Sequence, residues 1–149
     1  MQIVKASIDD LDLISPLFNL YRVFYGQNNN LDKARTFLKE RLQNNESVIF
    51  VAKNEHGVAV GFTQLYPAFS SISVCRTWIL NDLYVAIEAR RTGVAKKLMD
   101  AARTFAIATQ AKGLSLETAK DNTSAQKLYE SLGYIRDTGA YHYFLELKS

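Results

Sequence analysis

The side chains in this sequence that could do chemistry form two groups, and the first is cationic. Arg90, Arg91, Lys96 and Lys97 crowd around Gly93 and Ala95, with no acid anywhere from Thr92 to Lys97. The residues before them, Leu83, Tyr84 and Val85, read as the end of a strand. The residues after them carry an apolar stripe at Val94, Leu98, Ala101, Ala102 and Phe105, the spacing of one buried helix face. A strand that turns into a helix leaves unpaired N–H groups at the helix start, and the helix dipole adds partial positive charge there. Cations crowded at that end are unfavourable unless an anion sits among them, and phosphate is the suited anion. Gly93 then removes a side chain where backbone must approach the anion, and Ala95 keeps the next exposed position small. A merely solvated basic turn is the plainer alternative. The order of strand, glycine, small residue and helix favours the anion site. A P-loop is excluded because no Gly-Lys-Ser/Thr is present, and the three-glycine dinucleotide fingerprint is missing too.

The second group could move protons. Asp82 interrupts an apolar strand, where an acid costs energy unless it has a partner. It reads equally as a general base and as a structural carboxylate bonded to a neighbouring loop. Glu88, in the turn, is the second candidate base. Tyr129 lies seven residues past Asn122, two turns along one helix face. Its phenol is a neutral proton donor at pH 7; a half-buried packing aromatic is the alternative. Tyr25, Tyr141 and Tyr143 could wall a pocket for a small amine, or belong to core and surface. Arg22 could bind a carboxylate or sit exposed. His56 falls in a hairpin turn, His142 has no evident partner, and Cys75 reads as a buried strand residue. No His/Asp/Glu spacing suggests a metal.

These residues need elements to hold them. Gln2–Ala6 reads as a strand, and Ser7 with Asp10 as a capping box. A helix runs to about Tyr25, with Pro16 either kinking it or marking its first turn. A second runs from Asp32 to Leu42, burying Ala34, Phe37, Leu38 and Leu42. Strands follow at Ser47–Lys53, at Val58–Tyr66 with Pro67 as its stop, and at Ile72–Val85, the last with a bulge. Next come a helix over Val94–Gln110, a buried strand over Gly113–Thr118, and a helix capped by Asn122 that ends at Gly133. Two short strands, Tyr134–Asp137 and Ala140–Leu147, close the chain. The order β-α-α-β-β-β-α-β-α-β-β gives an α/β fold with a central mixed sheet and helices on both faces. The crossover from Trp78 to Leu116 makes its two strands parallel, and ligands of such sheets bind beyond the strands' carboxyl ends. That places the start of the Asn122 helix on the side of the basic turn, and lets Tyr129 point into the cleft between the two strands.

Composition narrows the classes. At 149 residues and 48% hydrophobic content, one domain spanning 1–149 is expected. The net charge of +3 is spread along the chain, which argues against nucleic acid as a partner. No apolar run reaches membrane-spanning length, no signal-peptide pattern opens the sequence, and one cysteine rules out a disulfide framework. A cytoplasmic protein is expected.

Two segments resemble a known family. Arg90-x-x-Gly93-x-Ala95 after a strand resembles the Gln/Arg-x-x-Gly-x-Gly/Ala motif of the GCN5-related N-acetyltransferases (GNAT). Asn122-x-x-Ala125-x-x-x-Tyr129-x-x-x-Gly133-Tyr134 resembles that family's second signature. The resemblance implies that loop amides from Arg90 through Arg91, Thr92, Gly93, Val94 and Ala95 hold the pyrophosphate of acetyl-coenzyme A. It implies that the backbone of Leu83, Tyr84 and Val85 pairs with the pantetheine arm, which Asn122 and Ala125 also meet. Tyr129 would protonate the departing thiolate. Leu80-Asn-Asp-Leu-Tyr-Val85 is similar to the Glu-Asp-aromatic segment of diamine acetyltransferases, but Asn81 stands where that Glu would be. Tyr21-Arg-Val-Phe-Tyr25 resembles the same region of Hpa2-like, small-amine members. Tyr21, Tyr25, Asp82 and Tyr143 would then meet the acceptor. The implied activity is acetyl transfer from acetyl-coenzyme A to a primary amine of a small molecule or peptide, by direct attack in a ternary complex, with no metal. A non-catalytic acetyl-coenzyme A sensor is the alternative. A homodimer follows from family habit alone.

Overall fold

A computed structural model describes residues 1–148, which divide into two compact units, Met1–Glu117 and the residues from Thr118 onward. The first holds strands β1 (Gln2–Lys5), β2 (Val48–Lys53), β3 (Ala59–Ser70), β4 (Cys75–Val85) and β5 (Leu114–Ser115), with helices α1 (Leu11–Phe24), α2 (Leu31–Gln43) and α3 (Val94–Ala108). The second holds α4 (Thr123–Ser131).

The five strands form one sheet in chain order, antiparallel throughout except for the parallel pair β4 and β5. Successive strand residues face opposite sides. Ile49, Val51 and Phe62 share one core cluster with Leu11, Ile14, Leu17 and Phe18 of α1 and with Ala34 and Leu38 of α2. Their neighbours face the other way: Phe50 meets the ring of Phe105 on α3 at 5.7 Å. A Cβ on Gly61 would lie 3.0 Å from Val94 Cγ1, so glycine there lets α3 settle onto β3. α1 and α2 thus cover one face and α3 the other, the expected mixed α/β arrangement.

The element bounds differ from expectation at several places, for physical reasons. The capping box forms, with Asp10 accepting from the Ser7 N–H at 2.8 Å, but it caps a 3-10 turn over Ile8–Asp10 that feeds α1. Pro16 lies inside α1 and neither starts nor ends it. In α2, Phe37 stays partly exposed and instead stacks on Phe18. β3 does not stop at Pro67 but runs to Ser70, with Pro67 opposite Trp78. The β2 partnership ends at Leu65, so beyond it β3 has a free edge where a missing N–H breaks no ladder. β4 starts at Cys75, because Val74 has φ 52° and Ile72 lies in the preceding turn, 97% exposed. The expected buried strand over Gly113–Thr118 shrinks to Leu114 and Ser115, half-buried and exposed in turn.

In the second unit, Asn122 Oδ1 accepts from the Ala125 N–H at 3.3 Å and caps α4. The Gly133 N–H bonds Glu130 O and the Tyr134 N–H bonds Tyr129 O, which closes the helix at the predicted residue. The two expected strands over Tyr134–Asp137 and Ala140–Leu147 do not form among the described residues. Alternation gives these residues strand character, but a strand exists only through a paired neighbour, and these residues pair with no strand of their own unit among the described residues.

A buried carboxylate and an uncapped basic helix start

One extra residue in β4 sets the site. β3 and β4 pair Leu65 with Leu80 and Gln64 with Asp82, so Asn81 has no opposite number. Before this bulge, Trp78 packs toward α3, its ring 5.1 Å from Phe105. Strict alternation would send Asp82 the same way. The bulge turns it to the α1 face instead, beside Tyr21.

There Asp82 is 3% exposed. Its carboxylate accepts from Tyr21 Oη at 2.9 Å, Gln64 Nε2 at 2.5 Å and Asn81 Nδ2 at 2.9 Å. Thr63 Oγ1 donates to the Asp82 carbonyl at 2.8 Å and fixes the strand. Every side-chain donor is neutral, and among the described residues no cation pairs with Asp82. Gln64 is fully buried, and its Oε1 has no hydrogen-bond partner. The cluster therefore holds a carboxylate and an amide oxygen without a hydrogen-bond partner, both buried. Burial and then the Asp82 charge push the Tyr21 phenol far above the ordinary range. The same causes raise Tyr66 to about 12. Both phenols hold their protons at neutral pH. Tyr21 also meets Tyr25 edge-on at 5.1 Å, and Tyr25 is 64% exposed.

The basic turn is built differently. A 3-10 turn over Ile87–Ala89 carries exposed Glu88, and Arg91 (φ 64°) and Gly93 (φ 83°) lead into α3. No side chain caps α3 and no acid lies in its first turn, so its leading N–H groups are open to an anion. Gly93 has φ 83°, which by itself favours glycine, and a Cβ there would meet no protein atom within 4 Å. Arg90 Nε donates to the Val85 carbonyl at 2.9 Å, and its guanidinium lies over Tyr84 and Phe24 at 5.6 and 5.8 Å. Thr92 Oγ1 donates to Ala89 O at 2.6 Å, and Lys96 pairs with Asp100 at 2.9 Å. Leu83 and Val85 are half-buried, Tyr84 is buried, and Ala95 is half-buried.

In the second unit Tyr129 is half-buried on α4, its ring 6.3 Å from Tyr134, and Ala125 lies one turn before it. Tyr141 and Tyr143 are 89% and 93% exposed, and His142 is exposed. Cys75 is half-buried, not buried. His56 is exposed in its turn, where Asn54 Oδ1 accepts from its N–H. The first unit thus unites Tyr21, Tyr25 and Asp82. Sequence reasoning missed Gln64, whose signal is a lone amide inside Val60-Gly-Phe-Thr-Gln-Leu65, opposite an equally isolated acid.

Known proteins resemble this chain in sequence and fold. The family model described as Acetyltransferase (GNAT) family matches residues 14–134. An N-acetyltransferase of Bacillus subtilis, YhfO, is 49% identical over 99% of this chain and 98% of its own. A probable acetyltransferase of Haemophilus influenzae is 35% identical over 90% of each. A crystallised probable acetyltransferase, 45% identical, superposes with a TM-score of 0.95, covering 100% of this chain and 99% of its own. At 22% identity, AAC(6')-Iy in complex with a bisubstrate analogue, CoA-S-monomethyl-acetylneamine, shares the fold with a TM-score of 0.78, each chain covered over 97%. The match over most of the chain and the two close relatives make this protein an N-acetyltransferase of the GNAT family.

Proposed function

We propose that this enzyme moves an acetyl group from acetyl-coenzyme A to a primary amine of a small molecule or peptide, by direct attack in a ternary complex. The observation that carries the acceptor class is Asp82. A buried carboxylate ringed by neutral donors, with the spare Gln64 Oε1 beside it, suits an ammonium group. Tyr21 and Tyr25 flank that spot and would bound the acceptor. Tyr143 remains part of the proposed acceptor site. The fold relative crystallised with an aminoglycoside-derived bisubstrate analogue supports amines as a class.

The uncapped start of α3 supports the cofactor assignment. N–H groups from Arg91 to Ala95 would bind the pyrophosphate, and Arg90 adds charge. Leu83, Tyr84 and Val85 would align pantetheine, and Asn122 and Ala125 remain proposed contacts of the cofactor. A primary ammonium, with a pKa near ~10.4, must lose a proton before it attacks. Asp82 takes or relays that proton. The free amine attacks the thioester carbonyl, and a C–N bond forms. The tetrahedral species collapses with C–S cleavage, and the Tyr129 phenol gives its proton to the leaving thiolate. One N-acetyltransferase domain would span 1–149, and the protein would act in the cytoplasm as a homodimer.

A thiol-release assay over a panel of polyamines, amino acids, aminoglycosides and peptides tests the reading. Amine-dependent release of coenzyme A is expected. Tight acetyl-coenzyme A binding with no release for any amine would favour the alternative of a non-catalytic sensor.

A further inference from the structure

α1 ends on a large apolar residue that the core does not absorb. Phe24 is 63% exposed and stands outside the cluster that buries Leu11, Ile14, Leu17 and Phe18 of the same helix. Its neighbours are specific all the same. The Phe24 ring lies 6.3 Å from the ring of Tyr84 on β4 and meets Tyr25 edge-on at 5.2 Å. Tyr84 is buried and belongs to the core, so packing accounts for it without further cause. Phe24 and Tyr84 share one partner, the Arg90 guanidinium, at 5.8 and 5.6 Å. Both distances fall within the range in which a ring face attracts a cation. Arg90 is thus held at three points, since its Nε also donates to the Val85 carbonyl at 2.9 Å. Its two terminal nitrogens make no hydrogen bond or ion pair among the described residues of its unit, so the outer edge of the fork keeps its donors.

We propose that Phe24 is a positioning residue for coenzyme A, which rests on the pyrophosphate role proposed for the basic turn: its ring holds the Arg90 guanidinium in place before the cofactor arrives. An exposed arginine ordinarily samples many rotamers, and ordering it on a ligand weakens binding. Here the fold has already ordered it. Tyr84 and the Val85 carbonyl fix the guanidinium from β4, and Phe24 fixes it from α1. The planar fork suits this use, because it can lie against ring faces and still present two donors to a phosphate. A lysine could not do both. The same helix holds Asp82 through the Tyr21 hydroxyl at 2.9 Å, so α1 orders one charged group on the acceptor side and one on the cofactor side.

Calorimetric titration of the full chain with coenzyme A tests the role without requiring turnover. Phe24→Leu keeps an apolar, helix-forming residue and removes the ring. Affinity is expected to fall about two- to fivefold, the worth of one exposed cation–π contact. Phe24→Tyr returns a ring and should return the affinity. A changed melting temperature with unchanged affinity would make Phe24 a packing residue and overturn the proposal. A loss that Phe24→Tyr fails to rescue would overturn it as well. Arg90→Met supplies the second arm, because it removes the cation that the ring holds. Added to Arg90→Met, Phe24→Leu should cost no further affinity. Two losses that simply add would mean that Phe24 acts by a route other than Arg90, which overturns the proposal. Failure of the underlying reading looks different. If Arg90→Met binds coenzyme A as the wild type does, the phosphate role of Arg90 falls and takes the role of Phe24 with it. If Arg90→Met binds weakly while Phe24→Leu binds normally, only the role of Phe24 falls.

Discussion

The buried cluster around Asp82 and the turn around Gly93 are separated by one short stretch of chain and are built on opposite plans. Asp82 is 3% exposed and held by side chains from α1, β3 and β4. Arg90, Arg91, Thr92 and Gly93 are all exposed, and their side-chain bonds go to nearby carbonyls, Arg90 to Val85 and Thr92 to Ala89. Packing fixes the first; backbone angles fix the second. A packed site holds its charge in one geometry and in a low dielectric, where that charge is strong. A turn set by φ presents N–H groups to solvent and to a bulky, hydrated anion that must enter and leave. Substitutions in the cluster should therefore change chemistry, and those in the turn should change binding.

The largest test of that contrast is Asp82→Asn. The neutral amide keeps the shape but removes the charge that would receive the ammonium proton. Turnover with amine is expected to fall by about 10²–10⁴-fold, the usual worth of acid–base catalysis. The loss should shrink at high pH, where more amine is already neutral. If KM for the amine rises while kcat holds, Asp82 binds the cation without relaying its proton. If only thermal stability changes, the carboxylate is structural. Calorimetric affinity for coenzyme A should not move in any of these cases.

Arg90→Glu is the mirror experiment and ranks second. It reverses a charge beside the uncapped helix start and removes the bond to Val85 O. Coenzyme A affinity is expected to drop about tenfold to a hundredfold, since charge-assisted hydrogen bonds are worth about 1.5–3 kcal/mol. The melting temperature should barely change, because the side chain is exposed. Unchanged affinity would remove the phosphate role from this turn.

Gly93→Ala has a smaller effect, of another kind. No atom obstructs the new methyl group, but φ at 83° is unfavourable for any residue with a Cβ. A stability loss of about 1–2 kcal/mol is expected in urea unfolding. An undiminished midpoint would mean that the turn relaxes, and that backbone angles do not preorganise it.

How much of this could be read from the residues alone differs between the two regions. The turn was legible because its signals are local: a strand, paired arginines, a glycine and an apolar helical stripe all lie within one segment. Asp82 could be singled out as an acid in an apolar strand, but its surroundings could not. They depend on the register of β3 against β4 and on the unpaired Asn81, which moves Asp82 to the face that Tyr21 occupies. Bulge position is a property of two strands together. Pro67 was misread for a related reason: whether a proline ends a strand depends on which neighbour still pairs with it. The C-terminal residues show the limit of periodicity. Alternation from Tyr141 to Leu147 announces a strand but says nothing about what pairs with it.

The smallest predicted effect appears only in alkali, and it connects the cluster's charge to two phenols. Tyr66 is raised to about 12, by burial first and then by Asp82, and Tyr21 is raised further by the same causes. A raised phenol means that the folded chain keeps a proton that the unfolded chain, with a pKa near ~10, gives up. The stability from this difference is fully present below the unfolded value and is lost as pH rises through the folded one. Unfolding free energy should thus be insensitive to these groups up to about pH 10 and should decline from there toward pH 12. Tyr66→Phe should flatten part of that decline, measured by urea unfolding at several alkaline pH values. Asp82→Asn should move both phenols downward, read by ultraviolet titration, because it removes the negative charge that both face. Burial remains, so neither should return fully to the ordinary value. A titration identical in the wild type and Asp82→Asn would mean that the carboxylate does not act on its aromatic neighbours. The cluster would then be no more electrostatically coupled than the open turn beside it.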